Sequence, residues 1–81
     1  MELDKIKFSK NFGIHLKAIR EGNKFRKGKR ISLRRLDQMS GVDHSHIHKI
    51  EKGESSPSLL TLKSLALALD ISLSELVNFE D

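Results

Sequence analysis

The sequence predicts an all-α fold of five short helices. Apolar residues recur at spacings of three and four along nearly the whole chain, and nowhere alternate with the period of two that a strand needs. Ser, Asp and Gly stand where such helices would begin and end. With 81 residues the chain is expected to form one domain, residues 1–81, that buries only about 60–65% of its unfolded surface. It has no cysteine, so neither a disulfide nor a thiolate metal site can staple it, and well-packed helices must hold it together.

The first helix is expected over residues 8–21, where Phe8, Phe12, Leu16 and Ile19 form a stripe that Ile14 and Ala18 widen. Gly22-Asn23 stops it, and a basic loop follows over residues 23–31. Ser32 caps a second helix, residues 33–39, with Leu33, Leu36 and Met39 on one side. Ser40-Gly41-Val42 ends that helix, and glycine suits a turn residue with positive φ. Asp43 caps the third helix, which ends at Lys52 before Gly53. Only Ile47 and Ile50 are large and apolar there, so its other face, His44, Ser45, His48, Lys49 and Lys52, is polar. Ser56-Pro57-Ser58 opens a fourth helix, residues 59–69, packing through Leu59, Leu62, Leu65, Ala66 and Leu69. Ser72 caps a fifth over residues 73–78, and Phe79 follows it.

The net charge is +4, but its distribution is uneven. Residues 17–35 hold nine basic side chains and one acid, whereas residues 53–81 hold one lysine and five acids. A polyanion is the natural partner for the first region. No apolar run approaches the ~18 residues of a membrane span, and the charged N-terminus has no signal-peptide block, so the cytosol is the expected compartment. Asp43, His44 and Ser45 adjoin at one helix start and cannot form a catalytic triad. Without a phosphate-cradling glycine loop or a cofactor fingerprint, neither an enzyme nor a bound cofactor is expected. His44 and His48 have a spacing found in some zinc sites, yet no third ligand stands near them in sequence, so no metal is expected.

Two short helices joined by a glycine turn, the second with a polar outer face, suit the major groove of DNA, which is ~12 Å wide and admits one helix. Residues 32–53, SLRRLDQMSGVDHSHIHKIEKG, resemble the helix-turn-helix of the lambda-repressor-like (Cro/CI, XRE-type) regulators. The continuations ESSPSLLTL (54–62) and LALALDISLSEL (65–76) are similar too, so the likeness runs over about residues 8–79. It implies a five-helix lambda-repressor-like DNA-binding domain with the helix-turn-helix in helices 2 and 3. In that family the start of the third helix reads bases, which points to His44 and Ser45, with Lys49 a turn further on and His48 beside them. Lys49 suits guanine O6 or N7. His44 can donate or accept, which leaves its base open.

The resemblance also implies phosphate contacts from Ser32 and from Lys52, Ser55 and Ser56. It implies a buried ion pair of Arg20 with Glu51, and a dimer contact through Leu73, Leu76, Val77 and Phe79, for which closure of the monomer's own core is the other reading. The sequence departs from the pattern in several places. Leu33 stands where a phosphate-binding Gln is common, leaving that task to Arg34 or Arg35. Asp37 replaces a small Ala and must tilt outward or find a partner. The loop is longer than usual by roughly six residues, and its Lys24, Arg26, Lys27, Lys29 and Arg30 either grip flanking phosphates or form a solvated, mobile segment. Glu54 sits where a basic residue would help binding.

The expected function is sequence-specific regulation of transcription, as a repressor or autoregulator that binds a palindromic operator in double-stranded DNA as a homodimer. No small-molecule ligand or membrane partner is expected. Controller proteins of restriction–modification systems, antitoxin-type autorepressors and phage-like repressors all remain open. The competing reading is a protein-interaction module that kept the fold without reading DNA. Leu33, Asp37 and Glu54 favour it, and the cationic face of the third helix opposes it.

Overall fold

A computed structural model describes residues 2–80. Among them the chain forms α1 (Lys5–Arg20), α2 (Leu33–Ser40), α3 (His44–Glu51), α4 (Leu59–Leu69) and α5 (Leu73–Leu76), with no strand. Helix α1 packs on α3, α2 on both α3 and α4, and α4 on α5.

Helix α1 starts three residues before the expected Phe8, because Asp4 caps it by accepting the Lys7 N–H at 3.0 Å. Its first turn, Lys5-Ile6-Lys7, is exposed and so shows no core stripe. The buried stripe is Phe12, Leu16 and Ile19, joined by His15, whereas Ile14 is 65% exposed. Ile14 lies outside the three-and-four spacing of that stripe and does not widen it.

Ser32 and Ser72 cap α2 and α5 as expected, and Ser58, the last residue of the Ser56-Pro57-Ser58 opening, caps α4, each side chain accepting a backbone N–H three residues on. Gly41, with φ of 76°, closes α2 in the left-handed region. Met39 is half-exposed and stays outside the core, leaving Leu36 and the partly buried Leu33 as the inward face of α2. Leu59 is also outside it, 72% exposed. Helical period identifies the face on which Leu59 lies, but burial in α4 begins only at Leu62, where a neighbour covers that face. Helix α5 is a single turn held by a reciprocal Ser72–Glu75 capping box, ending at Leu76 rather than Asn78.

Helices α1 and α3 touch at their backbones. A Cβ added to Gly13 would lie 2.5 Å from the Ile50 carbonyl oxygen, so no larger residue fits at this crossing. Beside it Arg20 and Glu51 form a buried bidentate pair, Nε–Oε2 at 2.7 Å and Nη2–Oε1 at 3.0 Å. The same guanidinium donates to the Ile31 carbonyl at 3.0 Å and so ties down the end of the basic loop. That loop folds back on itself: the Gly28 N–H meets the Gly22 carbonyl at 3.0 Å, and the Ile31 N–H meets that of Arg20 at 3.0 Å.

His15 was not singled out by the sequence. It is buried, Nε2–H donates to the Glu75 carbonyl at 3.2 Å, and Nδ1 accepts from Lys24 Nζ at 3.3 Å. Phe12, Phe25 and Phe79 surround the ring. It joins α1, the basic loop and α5.

Removing one member of the Arg20–Glu51 pair strands the other without a partner. Glu51→Ala is expected to destabilise the fold by about 3–5 kcal/mol, lowering Tm by more than about 10 °C in thermal circular dichroism. A loss below about 1 kcal/mol would mean that water reaches the guanidinium. Burial, aided by the Lys24 charge, holds the His15 pKa below its ordinary 6.5. The unfolded chain therefore binds a proton that the folded chain refuses, and this contribution to stability is present above pH 6.5 and lost below it. Urea midpoints should fall more steeply from pH 7.5 to 5.5 in the wild type than in His15→Phe, and parallel curves would contradict this.

Candidate nucleic-acid interface

Helix α3 is anchored on one side only. Ile47, Ile50 and Glu51 are buried, while Ser45, His48 and Lys49 are exposed. An eight-residue helix with three inward anchors cannot rotate, so its polar face is held towards solvent.

Its start is built differently from the expectation. Asp43 holds the cap position, but its carboxylate takes the Ser45 hydroxyl and caps no backbone N–H. The capping oxygen belongs to Asp37 on α2. Oδ2 accepts the His44 N–H at 2.9 Å and also receives a bond from His44 Nδ1 at 2.9 Å. The residue that departs from the small Ala of the pattern thus finds its partner across the turn. The bonds from His44 hold the Asp37 carboxyl below its ordinary pKa of 3.8, and the Ser45 hydroxyl does the same for Asp43.

Around this helix the expected contact residues fall into groups. Ser32, Arg34 and Arg35 are exposed at the N-terminus of α2, where Ser32 Oγ accepts the Arg35 N–H at 3.0 Å. Lys29 and Arg30 are exposed in the loop, while the Arg26 guanidinium turns back to the Lys29 carbonyl at 2.8 Å. Beyond α3, Lys52 pairs with Glu54 at 3.3 Å, so part of its charge is met within the chain. Ser55 shares a hydrogen bond of 3.3 Å with His46 Nε2, and Ser56 is exposed. His46 therefore faces the loop after α3, away from the row of His44 and His48.

The ligand-type groups that do converge are Asp37, Asp43 and His44, within 4.8 Å of one another. The hydrogen bonds from His44 to Asp37 and from Ser45 to Asp43 account for that arrangement.

Of the four expected dimer residues, one is closed to a partner. Leu76 is fully buried in the core and has no surface left for a partner. Leu73 and Phe79 pack against that core, Phe79 lying 5.0 Å from Phe8 and 5.5 Å from Phe12 between ring centroids. Val77 alone of the four is open, at 44%. Large apolar side chains are exposed elsewhere too, on α1 at Ile6 and Ile14 and on α4 at Leu59, Leu60 and Leu67. A signal for the leucines was present, since α4 carries more leucine than one buried stripe requires.

The family model HTH_3, Helix-turn-helix, matches residues 23–76, from the basic loop to the end of α5. The HTH-type transcriptional regulator SlrR of Bacillus subtilis (strain 168) is 39% identical over 57 residues, which is 69% of this chain and 38% of that protein. The chain therefore spans well under half the length of this relative. Among solved structures, the restriction-modification controller protein C.AhdI from Aeromonas hydrophila superposes with a TM-score of 0.71 at 36% identity, covering 86% of this chain and 96% of that one. An HTH_3 family transcriptional regulator from Vibrio cholerae gives a TM-score of 0.75 at 30% identity, over 89% of this chain and 37% of that one. By sequence and by fold, the chain belongs to the XRE-type helix-turn-helix family, HTH_3, of transcriptional regulators.

Proposed function

We propose that the protein is a cytosolic, sequence-specific DNA-binding regulator that represses transcription by occupying a palindromic operator as a homodimer. The observation that carries this reading is the one-sided anchoring of α3, which leaves His44, Ser45, His48 and Lys49 on a rigid support at the width of a major groove. Ser45 and Lys49 reach base edges, His48 a base or a phosphate. The free N–H groups at the start of α2, with Ser32, Arg34 and Arg35, take a phosphate. Lys29, Arg30, Lys52, Ser55 and Ser56 bind the backbone on either side.

Two of the departures that favoured an interaction module have other roles in the fold. Leu33 packs against the core, and Asp37 caps α3. Glu54 is left as the argument for that module, and its charge is shared with Lys52.

For the dimer the exposed leucines of α4, Leu59, Leu60 and Leu67, with Val77, replace Leu76 as the contact. A two-fold pair that reads two half-sites needs its α3 helices on successive turns of the groove, ~34 Å apart. The match over nearly all of C.AhdI supports a controller-type autoregulator.

Selection from a random duplex pool at about 150 mM salt tests this, because that salt suppresses nonspecific binding. A near-palindrome with half-sites about one helical turn apart is expected. Lys49→Ala should weaken preference at one position per half-site by about 1–3 kcal/mol. Leu60→Glu with Leu67→Glu should sediment as a monomer and lose the paired half-sites. Enrichment of no motif, with weak binding that vanishes as salt rises, overturns the reading.

A further inference from the structure

We propose that Asp37 decides which base His44 reads, by fixing the imidazole as the Nδ1–H tautomer and leaving Nε2 as an acceptor for an exocyclic amino group, adenine N6 or cytosine N4. The proposal rests on the DNA-reading role of α3 given above and goes beyond it to the chemistry of one contact.

The argument is one of proton counting. An ionised carboxylate has no hydrogen to give, so the 2.9 Å contact between Asp37 Oδ2 and His44 Nδ1 requires the proton to sit on Nδ1. A neutral imidazole carries one N–H only, so Nε2 keeps its lone pair. The same Oδ2 holds the His44 backbone N–H at 2.9 Å, which fixes the carboxylate relative to the helix start. Turning the ring over would replace Nδ1 by a carbon and break the bond, so the direction of Nε2 is set as well. The side chain is 41% exposed, and Nε2 makes no hydrogen bond among the described residues.

In the major groove adenine N7, guanine N7 and O6, and thymine O4 are acceptors, whereas adenine N6 and cytosine N4 are donors. A ring that can only accept is therefore matched to adenine or cytosine and faces repulsion from guanine O6 and N7. Protonation reverses this, since the imidazolium donates from Nε2 and suits guanine. The groups around the ring are Asp37 from α2, Asp43 Oδ1 at 3.6 Å from Nδ1, and His48 one turn along α3, while the Arg34 charge acts on Asp37. The two carboxylates lie on the Nδ1 side.

The ring nitrogens report the lock directly, because the lock and the helix cap share one oxygen of Asp37 and are lost together. Asp37→Ala removes both bonds, whereas Asp37→Asn keeps a carbonyl oxygen for each. Nitrogen-15 spectra of the His44 ring at pH 8.5 distinguish protonated from bare ring nitrogens without any DNA. The proton is expected on Nδ1 in the wild type and in Asp37→Asn, with a mixture of both tautomers in Asp37→Ala. Selection from a random duplex pool at pH 8.5 should then give the wild type and Asp37→Asn one position per half-site that favours adenine or cytosine over guanine about ten-fold or more. That position should become degenerate in Asp37→Ala and in His44→Ala. A wild-type ring protonated on Nε2 at pH 8.5 overturns the lock. An Asp37→Ala protein that is folded and selects the same base overturns the link from lock to base. A wild type that enriches no motif overturns the base-reading half together with the regulator role, and the ring spectrum still decides the tautomer.

Discussion

The bond set of the Arg20 guanidinium is what the rest of the molecule depends on. It gives two hydrogen bonds to Glu51 and one to the Ile31 carbonyl, so one side chain on α1 positions the end of α3 and the end of the basic loop. A buried pair of this kind is weak evidence for net stability, because desolvating both charges offsets their attraction. Its value here is geometric. Glu51 is one of three residues that hold the inner face of α3, and the outward direction of Ser45, His48 and Lys49 follows from that.

The two ends of the chain are organised around different chemistry. The cations of residues 17–35 surround a loop whose backbone is closed by its own hydrogen bonds. The acidic end carries the leucines of α4 that no other element covers. A domain this small has few ways to bury them internally once the core shared by all five helices is filled. His15 links the two ends, reaching Lys24 in the loop and Glu75 in α5 from one ring.

Much of the helical layout could be read from the sequence because capping is local. Ser32, Ser58 and Ser72 each meet an N–H three residues away, within reach of a short motif. The cap of α3 could not be read this way, since its oxygen comes from Asp37, seven residues earlier on another helix. Asp4 was missed for a different reason, as the turn it starts buries nothing. Leu59 and Leu76 show what period leaves out: it names a face, while burial depends on which element arrives opposite. The Arg20–Glu51 pairing spans 31 residues and no local pattern contains it; the family resemblance supplied it. His15 sits inside the α1 stripe with its carbonyl partner 60 residues on, so its spacing looked like that of any polar interruption.

The crossing at Gly13 has an evolutionary consequence. With the α1 glycine against the carbonyls of Ile50 and Glu51, the two backbones are as close as atoms allow. Repacking of side chains therefore has no slack through which to tilt or slide α3. Lineages of this protein that drift towards a new target must do so by exchanging outward residues on a stationary frame. Exchanges at His48 and Lys49 are independent of that frame, whereas one at His44 or Ser45 alters the surroundings of Asp37 or Asp43 and invites a compensating change there.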